Sequence, residues 1–308
     1  MTEALLLDGV AIEDTFAEAF GMRATRLVVT AASPAWARHA AQTFTGFATS
    51  VIACGCEAAI ECELQPGDTP DGRPGVSILM FAMSAKDLQK QLDRRTGQCI
   101  LTCPTTAAYG GIAADAAKEW LGLGRSLRYF GDGWQIAKRI GGRRYWRVPV
   151  MDGEFLCEDT VATVKAIGGG NFLIVARDQS AALAAAERAV AAIEPLWNVI
   201  LPFPGGVVRS GSKVGSKYRV LPASTNDAYC PTLVGLVPTK LPPGAGAVLE
   251  LVIDGLDVDS IALAMAEGIR AACQDGSRRG VLAITAGNYG GKLGPHHFHL
   301  HRILGAPT

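Results

Sequence analysis

The fold is set by the stretch LVVTAASPAWARHAAQTF (Leu27–Phe44), which has a second version later in the chain. Its first residues predict a buried strand, and Ser33 followed by Pro34 is a favourable pair for the N-cap and first position of a helix. Apolar side chains then recur at helical spacing: Trp36, Ala37, Ala40, Ala41 and Phe44. FLIVARDQSAALAAAERAVAAI (172–193) repeats this pattern, with Ser180 as the predicted N-cap.

Outward from each copy, the chain repeats one order of strands and helices. In the first half, ATSVIAC, VSILMF and CILTC (from Cys99) predict strands, and Ser84 begins a helix. In the second half, WNVIL, VLELVI and VLAITA predict strands, and Asp257 begins a helix. The order predicts an α+β protein built of two duplicated ferredoxin-like (βαββαβ) α/β-sandwich lobes. Right-handed crossovers would place both helices of a lobe on one face of its sheet.

Residues 104–171, between the two copies, predict a β-rich extension, because WRVPV and GEFLCED have the composition of strands. The basic run Lys138–Arg147 indicates a solvated hairpin or, alternatively, a binding surface for an acidic tail. We therefore expect an N-terminal lobe with its extension at residues 1–150 and a C-terminal lobe at residues 151–308. Near the start, IEDTFAEAF (12–20) predicts a helix. Its acidic residues Glu13, Asp14 and Glu18 are either functional carboxylates or, as the simpler interpretation, a solvated helix face.

Composition narrows the class of protein. The 308 residues carry zero formal net charge and 19% charged residues, which gives no electrostatic case for nucleic acid or a membrane surface. The longest apolar runs are shorter than the roughly 18 residues of a membrane span. The first ten residues lack the basic region of a signal peptide, which predicts a cytoplasmic protein. Eight cysteines without a CxxC motif predict free thiols packed as small hydrophobes.

The second lobe contains a long polar segment, RSGSKVGSKYRVLPASTNDAYCPTL (209–233). Loops longer than about 12–15 residues are uncommon inside a domain and are usually functional or disordered. The cations Arg209, Lys213 and Lys217 suit anionic groups, and its serine and asparagine side chains could orient a polar ligand. An ordinary surface insertion is the alternative.

Glu250 is the most informative single residue. In VLELVI, alternation places Glu250 with Val248 and Val252 on one sheet face. A carboxylate between valines is either at a sheet edge or partly desolvated in a cleft. Desolvation would raise its pKa toward neutrality, which suits a group that donates or accepts a proton.

The C-terminal stretch HHFHLH offers a different chemistry. As a strand, it would place His297, His299 and His301 on one face, which is compatible with zinc or simply with a polar sheet face. Nearby GNYGGKLG (287–294) is glycine-rich but lacks phosphate-loop spacing. The chain has no G-x-S-x-G elbow and no dinucleotide fingerprint after a strand, so nucleophilic hydrolysis and hydride transfer are disfavoured.

Several long motifs resemble one family in the same order along nearly the whole chain: DGVAIEDTFAEAF, TPDGRPGVSI, GQCILTCPT, GGNF, PFPGG, SKVGSK, ASTNDAYCPT, TAGNYGGKLG and HLH. The chain resembles the formylmethanofuran:tetrahydromethanopterin formyltransferases of one-carbon metabolism. Its neutral, alanine-rich composition resembles the methylotrophic bacterial branch, in which the protein is a subunit of a formyltransferase/hydrolase complex.

The resemblance implies direct transfer of a formyl group between a furfurylamine nitrogen and N5 of a reduced pterin, through a tetrahedral adduct. Tetrahydromethanopterin and a methanofuran-like cofactor are then substrates, with no tightly bound cofactor and no metal. Glu250 matches a glutamate of the family's proton shuttle. The implied substrate-binding residues are Arg209, Lys213, Lys217, Ser224, Asn226, Asp227 and Tyr229.

The resemblance also implies partners, namely a homotetramer of this chain and hydrolase subunits. Two other functions stay open: a non-catalytic scaffold subunit of a formyl hydrolase complex, and a zinc-dependent amidohydrolase. Only His299 and His301 match the family's C-terminal pattern, whereas His296 and His297 do not. That mismatch weighs against a metal site.

Overall fold

The computed structural model describes residues 5–305. Its strands are β1 (Leu5–Leu7), β2 (Val10–Ile12), β3 (Phe16–Thr30), β4 (Glu57–Leu64), β5 (Gly75–Ala82), β6 (Ala107–Gly110), β7 (Glu119–Gly122), β8 (Ile136–Ile140), β9 (Arg143–Val150), β10 (Gly153–Glu158), β11 (Thr160–Ala176), β12 (Val199–Ile200), β13 (Lys213–Val214), β14 (Ala223–Ser224), β15 (Ala247–Gly255), β16 (Val281–Thr285) and β17 (His296–His299). Its α-helices are α1 (Pro34–Thr45), α2 (Val51–Cys54), α3 (Ala85–Arg95), α4 (Gly124–Leu127), α5 (Gln179–Ile193), α6 (Val258–Cys273) and α7 (Leu300–Ile303).

The chain forms two compact units, one of residues 22–166 and one of residues 5–21 with 167–305. In the first unit, β3 lies between β5 and β6, and β4 pairs with the outer side of β5. All these pairs are antiparallel. Apolar residues of α1 and α3 share one core with inward residues of this sheet, so both helices cover the same face.

The second unit has the same strand order. There β11 lies between β15 and β16, and β12 pairs with the outer side of β15, again antiparallel throughout. Helices α5 and α6 cover one face, where Phe172, Ile174, Leu251 and Ile253 are buried. The other side of β16 pairs with β2 in parallel, and β17 pairs with residues 16–19 of β3. The face of this sheet opposite α5 and α6 carries the polar side chains of Asn171, Glu250 and Thr285.

The helix starts depend on single polar side chains. Ser33 and Pro34 begin α1 as expected, and Ala37, Ala40, Ala41 and Phe44 are buried. Asp257 caps α6, where its carboxylate accepts a hydrogen bond from the backbone of Ser260.

The predicted N-cap of α5 is wrong. Asp178, and not Ser180, accepts the capping hydrogen bond, from the backbone of Ala181. An aspartate two residues earlier competes successfully for the same orphan donors.

The predicted helix at residues 12–20 is also wrong, since this stretch runs from the last residue of β2 through a short connection (13–15) into β3. Ala17 and Ala19 enter the core beneath α5 and α6, whereas Glu18 points to the opposite face. The stretch satisfies the alternation of a strand as well as a helical period, and pairing with β17 decides between them. Glu18 is consequently buried and not solvated.

Two strands predicted in the first half are displaced. ATSVIAC contains the one-turn helix α2, which Ser50 caps, and the strand follows it as β4. CILTC begins in a wide helical turn (Thr96–Ile100) that continues α3. The strand expected there begins later in the chain, as β6. The β-rich extension is confirmed for WRVPV and GEFLCED, which lie in β9 and β10. The basic run forms the β8–β9 hairpin.

The two compact units have boundaries that differ from those of the expected domains in two places. Residues 5–21 belong with the second unit, and residues 151–166 belong with the first. All eight cysteines are free thiols. None of the helices within residues 5–305 combines the length and hydropathy that a membrane span requires.

Candidate functional site

Three side chains form a row across the open face of the second unit's sheet. Glu250 of β15 lies opposite Leu173 of β11, which lies opposite Thr285 of β16. Their neighbours Leu249 and Leu251 pack on the helix side. The alternation expected for VLELVI is therefore observed, and it directs Glu250 away from α5 and α6.

Glu250 lies at the bottom of a pocket. Its backbone exchanges two hydrogen bonds with Val208, of 2.7 and 2.9 Å, so the start of the polar loop runs beside β15 as an added strand segment. The side chain is half-buried, and burial raises its pKa to about 7. Burial is the one cause of that shift, with no hydrogen bond or charge from residues 5–305 offsetting it. A carboxyl group in this state can exchange a proton with a bound ligand near neutral pH.

The polar loop covers the pocket from above. Arg209, Asn226 and Tyr229 line it together with Glu250. Tyr229 is only 9% exposed, and its hydroxyl lies 3.4 Å from Oγ1 of Thr285. The ammonium of Lys240 lies 5.8 Å from the centre of the Tyr229 ring. Tyr229 thus anchors the loop on the same row of residues that carries Glu250.

Two contacts fix the shape of the loop. Lys213 donates a hydrogen bond to the carboxylate of Asp227, and this bond lowers the pKa of that carboxyl. The hydroxyl of Ser224 donates to the carbonyl oxygen of Gly215, at 2.7 Å. Both contacts join the two sides of the small β13–β14 hairpin.

A second cleft adjoins the pocket and shares Arg209 with it. Hydroxyl side chains and one cation dominate its lining, which contains no carboxylate from residues 5–305: Arg209, Ser210, Gly211, Ser212, Ala223, Ser224 and Thr225. Such a surface suits an anionic or hydroxyl-rich group. The two clefts together offer a proton-exchanging carboxyl at one end and anion-binding donors at the other.

The structure gathers only part of the predicted site. Arg209, Asn226 and Tyr229 lie at the pocket of Glu250, and Ser224 lies in the adjoining cleft. Lys213 and Asp227 instead pair with each other.

Lys217 lines neither cleft and is one of the predicted site residues that the structure leaves outside them. Lys217 is exposed, as is its neighbour Tyr218, of which 72% is exposed. The sequence grouped Lys217 with Arg209 by composition, but of these two cations only Arg209 lines the clefts.

Sequence reasoning missed the pocket residue Cys230, and it missed Thr285, which lies behind the pocket residue Tyr229. Cys230 lines the pocket, and its thiol lies 3.4 Å from the Asn226 carbonyl oxygen and 3.4 Å from Oγ1 of Thr225. Its position next to Tyr229 was the available signal. Thr285 carries no signal, because only the pairing of β16 with β11 places it beside Leu173.

The C-terminal histidines do not share one strand face. β17 ends at His299, and His301 lies on α7, where Nε2 is 2.9 Å from the Ile12 carbonyl oxygen. His297 lies 3.1 Å from the carbonyl oxygen of Gly294. Across residues 5–305, no three His, Cys, Asp or Glu side chains come together as a possible metal site. The strand-face geometry expected for zinc is therefore wrong.

Family models match both halves of the chain. One described as formylmethanofuran-tetrahydromethanopterin formyltransferase matches residues 5–150. A second, described as FTR, proximal lobe, matches residues 153–303. The two matches together span most of the sequence.

Individual proteins are similar over their whole length. A protein of Methylococcus capsulatus named formylmethanofuran–tetrahydromethanopterin formyltransferase is 63% identical over 300 residues, which cover 97% of this chain and 100% of that protein. A protein of Methylorubrum extorquens named as a subunit of the formyltransferase/hydrolase complex is 53% identical, with 98% of each sequence covered. One chain in the crystal structure of the formyltransferase/hydrolase complex of Methylorubrum extorquens with methylofuran superposes with a TM-score of 0.95 at 52% identity, covering 99% of this chain and 100% of that one.

Proposed function

The chain belongs to the formylmethanofuran–tetrahydromethanopterin formyltransferase family, and we propose that it carries out formyl transfer at the pocket of Glu250. It is a formyltransferase that moves a formyl group between a formylated methanofuran-like cofactor and tetrahydromethanopterin. The observation that supports this pocket is the half-buried carboxyl of Glu250, whose pKa burial raises to about 7, beneath a loop carrying a cation.

In the proposed mechanism, N5 of the reduced pterin attacks the formyl carbon and forms a tetrahedral adduct. The Glu250 carboxylate accepts the proton that N5 loses and then returns it to the furfurylamine nitrogen as the carbon–nitrogen bond to the furan cofactor breaks. One carbon–nitrogen bond forms, one breaks, and one proton moves from N5 to the furfurylamine nitrogen. The same steps run in reverse for transfer in the other direction. A carboxylate with a pKa near 7 is a stronger base than an ordinary glutamate, which favours the first proton transfer.

The remaining pocket side chains would bind and orient the substrates. Asn226 and Tyr229 carry donors that could stabilise the adduct's oxyanion. Arg209 lies where the pocket meets the hydroxyl-lined cleft, which suits an anionic tail extending from the reacting group. Lys217 would reach only the far end of such a tail, and Lys213 with Asp227 would hold the loop in shape. Closure of the loop over both substrates would exclude water and prevent hydrolysis of the formyl group.

We propose that both substrates bind transiently, that no cofactor is tightly held, and that the chain works in the cytoplasm. We also propose a homotetramer that assembles with hydrolase subunits. The 53% identical relative from Methylorubrum extorquens, which is named as a subunit of such a complex, supports the partnership.

We further propose that the two lobes are duplicated ferredoxin-like domains, with the boundary in the sequence near residue 150, where the two family matches meet. The identical order of four antiparallel strands, β4-β5-β3-β6 and β12-β15-β11-β16, supports this description. Both sheets also carry their two helices on one face.

The decisive experiment replaces Glu250 by Gln. We expect kcat to fall by about 10²- to 10⁴-fold, because the amide cannot accept the N5 proton. In the wild type kcat/KM should rise with pH through about 7, and this rise should be absent in the variant. N5-formyl product is measured with both substrates supplied.

The matched control is Glu267→Gln, which makes the same change on the exposed side of α6. Full activity of Glu250→Gln would overturn the proposed site. If the isolated chain formed no product, and the rate restored by hydrolase subunits did not depend on Glu250, the chain would be a scaffold.

A further inference from the structure

Glu18 is a buried carboxylate outside the proposed chemistry, with 1% of its surface exposed. It accepts four backbone hydrogen bonds from the glycine-rich loop 287–294. One carboxylate oxygen binds the amides of Tyr289 and Gly291, at 2.7 and 2.9 Å. The other binds those of Leu293 and Gly294, at 2.5 and 2.6 Å. Burial opposes ionisation, but these four bonds outweigh it and lower the pKa of Glu18 to about 2.

The glycines of this loop have a specific geometric purpose. Gly291 has φ +71°, which lets the chain turn its amides inward around the carboxylate. A Cβ at Gly294 would lie 2.3 Å from the carbonyl oxygen of Ala19. Amides arranged in this way usually hold a phosphate or another external anion. Here the chain supplies its own anion, so these amides are not available to a substrate phosphate.

Hydrogen bonds connect Glu18 to the pocket. Its backbone N–H donates to the carbonyl oxygen of Gly287, and the amide of Gly287 donates to Oδ1 of Asn171, at 2.6 Å. Asn171 also donates from Nδ2 to the Gly287 carbonyl oxygen. Asn171 lies two residues before the pocket residue Leu173, on the same sheet face.

A second connection runs through the strand that leads into the loop. Thr285 is two residues before Gly287 and is the neighbour of the Tyr229 hydroxyl, at 3.4 Å. The loop's position therefore sets where β16 ends and where Thr285 faces Tyr229. Movement of the loop would shift one wall of the pocket relative to Glu250.

From these connections, we propose that Glu18 is a positioning residue for formyl transfer, which fixes loop 287–294 and thereby holds Thr285 against Tyr229, a wall residue of the Glu250 pocket. This role rests on the proposed function of the Glu250 pocket. Misplacement by about 1 Å can reduce a rate on the order of a hundredfold, so a loosened wall should lower kcat more than it changes KM.

A double-mutant cycle tests the proposal with Glu18→Asp, Thr285→Val and the combination. The aspartate keeps the charge but is too short to bind all four amides. We expect Glu18→Asp to reduce kcat by about tenfold or more, with KM within about twofold. The double variant should lose much less than the product of the two single losses, because both changes act on one wall. Glu267→Gln is the control for an exposed glutamate.

If kcat of the double variant fell by the product of the two single-variant reductions, Glu18 would have a structural role only and the proposal would be overturned. A wild-type kcat in Glu18→Asp would overturn it as well. If the Glu18 variants do not fold, Asn288→Ala takes their place. Asn288 ties the same loop to Thr15 and to the backbone of Phe16. An unchanged kcat in Asn288→Ala would then refute the proposal.

Glu250→Gln is assayed in parallel, to separate this proposal from the proposed function. If Glu250→Gln is fully active, the proposed site itself fails. If Glu250→Gln is inactive and Glu18→Asp has a normal kcat, only the role of Glu18 is rejected.

Discussion

Two glutamates of the second unit show how the same residue type takes different ionisation behaviour. Glu18 is buried, and four backbone donors lower its pKa to about 2. Glu250 has no such donors within the described residues, and burial raises its pKa to about 7. The difference arises from hydrogen bonding to the charged form and not from depth alone. At neutral pH Glu18 is therefore an anion, whereas Glu250 can exchange a proton.

The raised pKa of Glu250 makes a prediction about stability. A half-buried carboxyl whose folded pKa lies above its ordinary 4.5 favours the neutral form. Its contribution to stability is therefore full below pH 4.5 and is lost as pH rises through about 7. Glu250→Gln should therefore gain stability relative to the wild type as pH rises from 5 to 8. Urea unfolding of both proteins across this range measures the difference. A difference independent of pH would contradict the raised pKa.

Glu18 gives a prediction of the opposite sign. Its folded pKa of about 2 lies below the ordinary 4.5, so its stabilisation is present above pH 4.5 and is lost as pH falls toward 2. At pH 7, Glu18→Gln should reduce the free energy of unfolding by about 3 kcal/mol, because the amide leaves buried N–H groups unpaired.

That difference between Glu18→Gln and the wild type should shrink as the pH is lowered from 5 toward 2. Glu187→Gln, the same change at an exposed position of α5, is the control and should show no such dependence. A constant difference would mean that the carboxylate is not the stabilising group.

At the scale of elements, the loop between the second and third strands distinguishes the two units. In the first unit, residues 65–74 make this connection between β4 and β5. In the second, residues 201–246 connect β12 to β15 and contribute most of the pocket lining. The sheet supplies Glu250 and Leu173, whereas the loop supplies the cation and most polar donors. Function is thus concentrated in one insertion on a scaffold that both units share.

Arg209 lines both clefts, so its substitution tests whether the loop binds the anionic tail of a substrate. Arg209→Ala should raise KM for the full-length furan substrate by about tenfold, because a charge-assisted hydrogen bond is lost. Lys217→Ala should raise it less, since Lys217 lines neither cleft. A truncated formamide of furfurylamine, which lacks the tail, should be used equally well by both variants and the wild type. A slower reaction of the truncated substrate with Arg209→Ala would assign Arg209 to the reacting group instead.

At the scale of the whole molecule, both units have the same strand order. Within residues 5–305, however, the carboxyl proposed to exchange a proton, that of Glu250 beneath the long loop, belongs to the second unit. We expect the chain in solution to be a homotetramer, with four times the 32.3 kDa mass of one chain. Light scattering after size-exclusion chromatography measures this mass. A monomer at micromolar concentration would contradict the expectation.

The sequence by itself determined most of the strand and helix order within the two units, the face on which Glu250 lies and the presence of a polar loop. These features follow from local periodicity, capping residues and turn composition, which are properties of neighbouring residues. It also carried the family, through motifs distributed over the whole chain. It did not determine the strands at residues 12–20 or the helical turns at residues 51–54 and 96–100.

Only the tertiary structure decided which residues meet. Strand pairing turned residues 12–20 from an expected helix into a strand and buried Glu18 under a loop more than 260 residues later. It placed Thr285 beside Tyr229, paired Lys213 with Asp227 and left Lys217 outside both clefts. These outcomes depend on contacts between distant segments, whose register and hydrogen bonds no local pattern specifies.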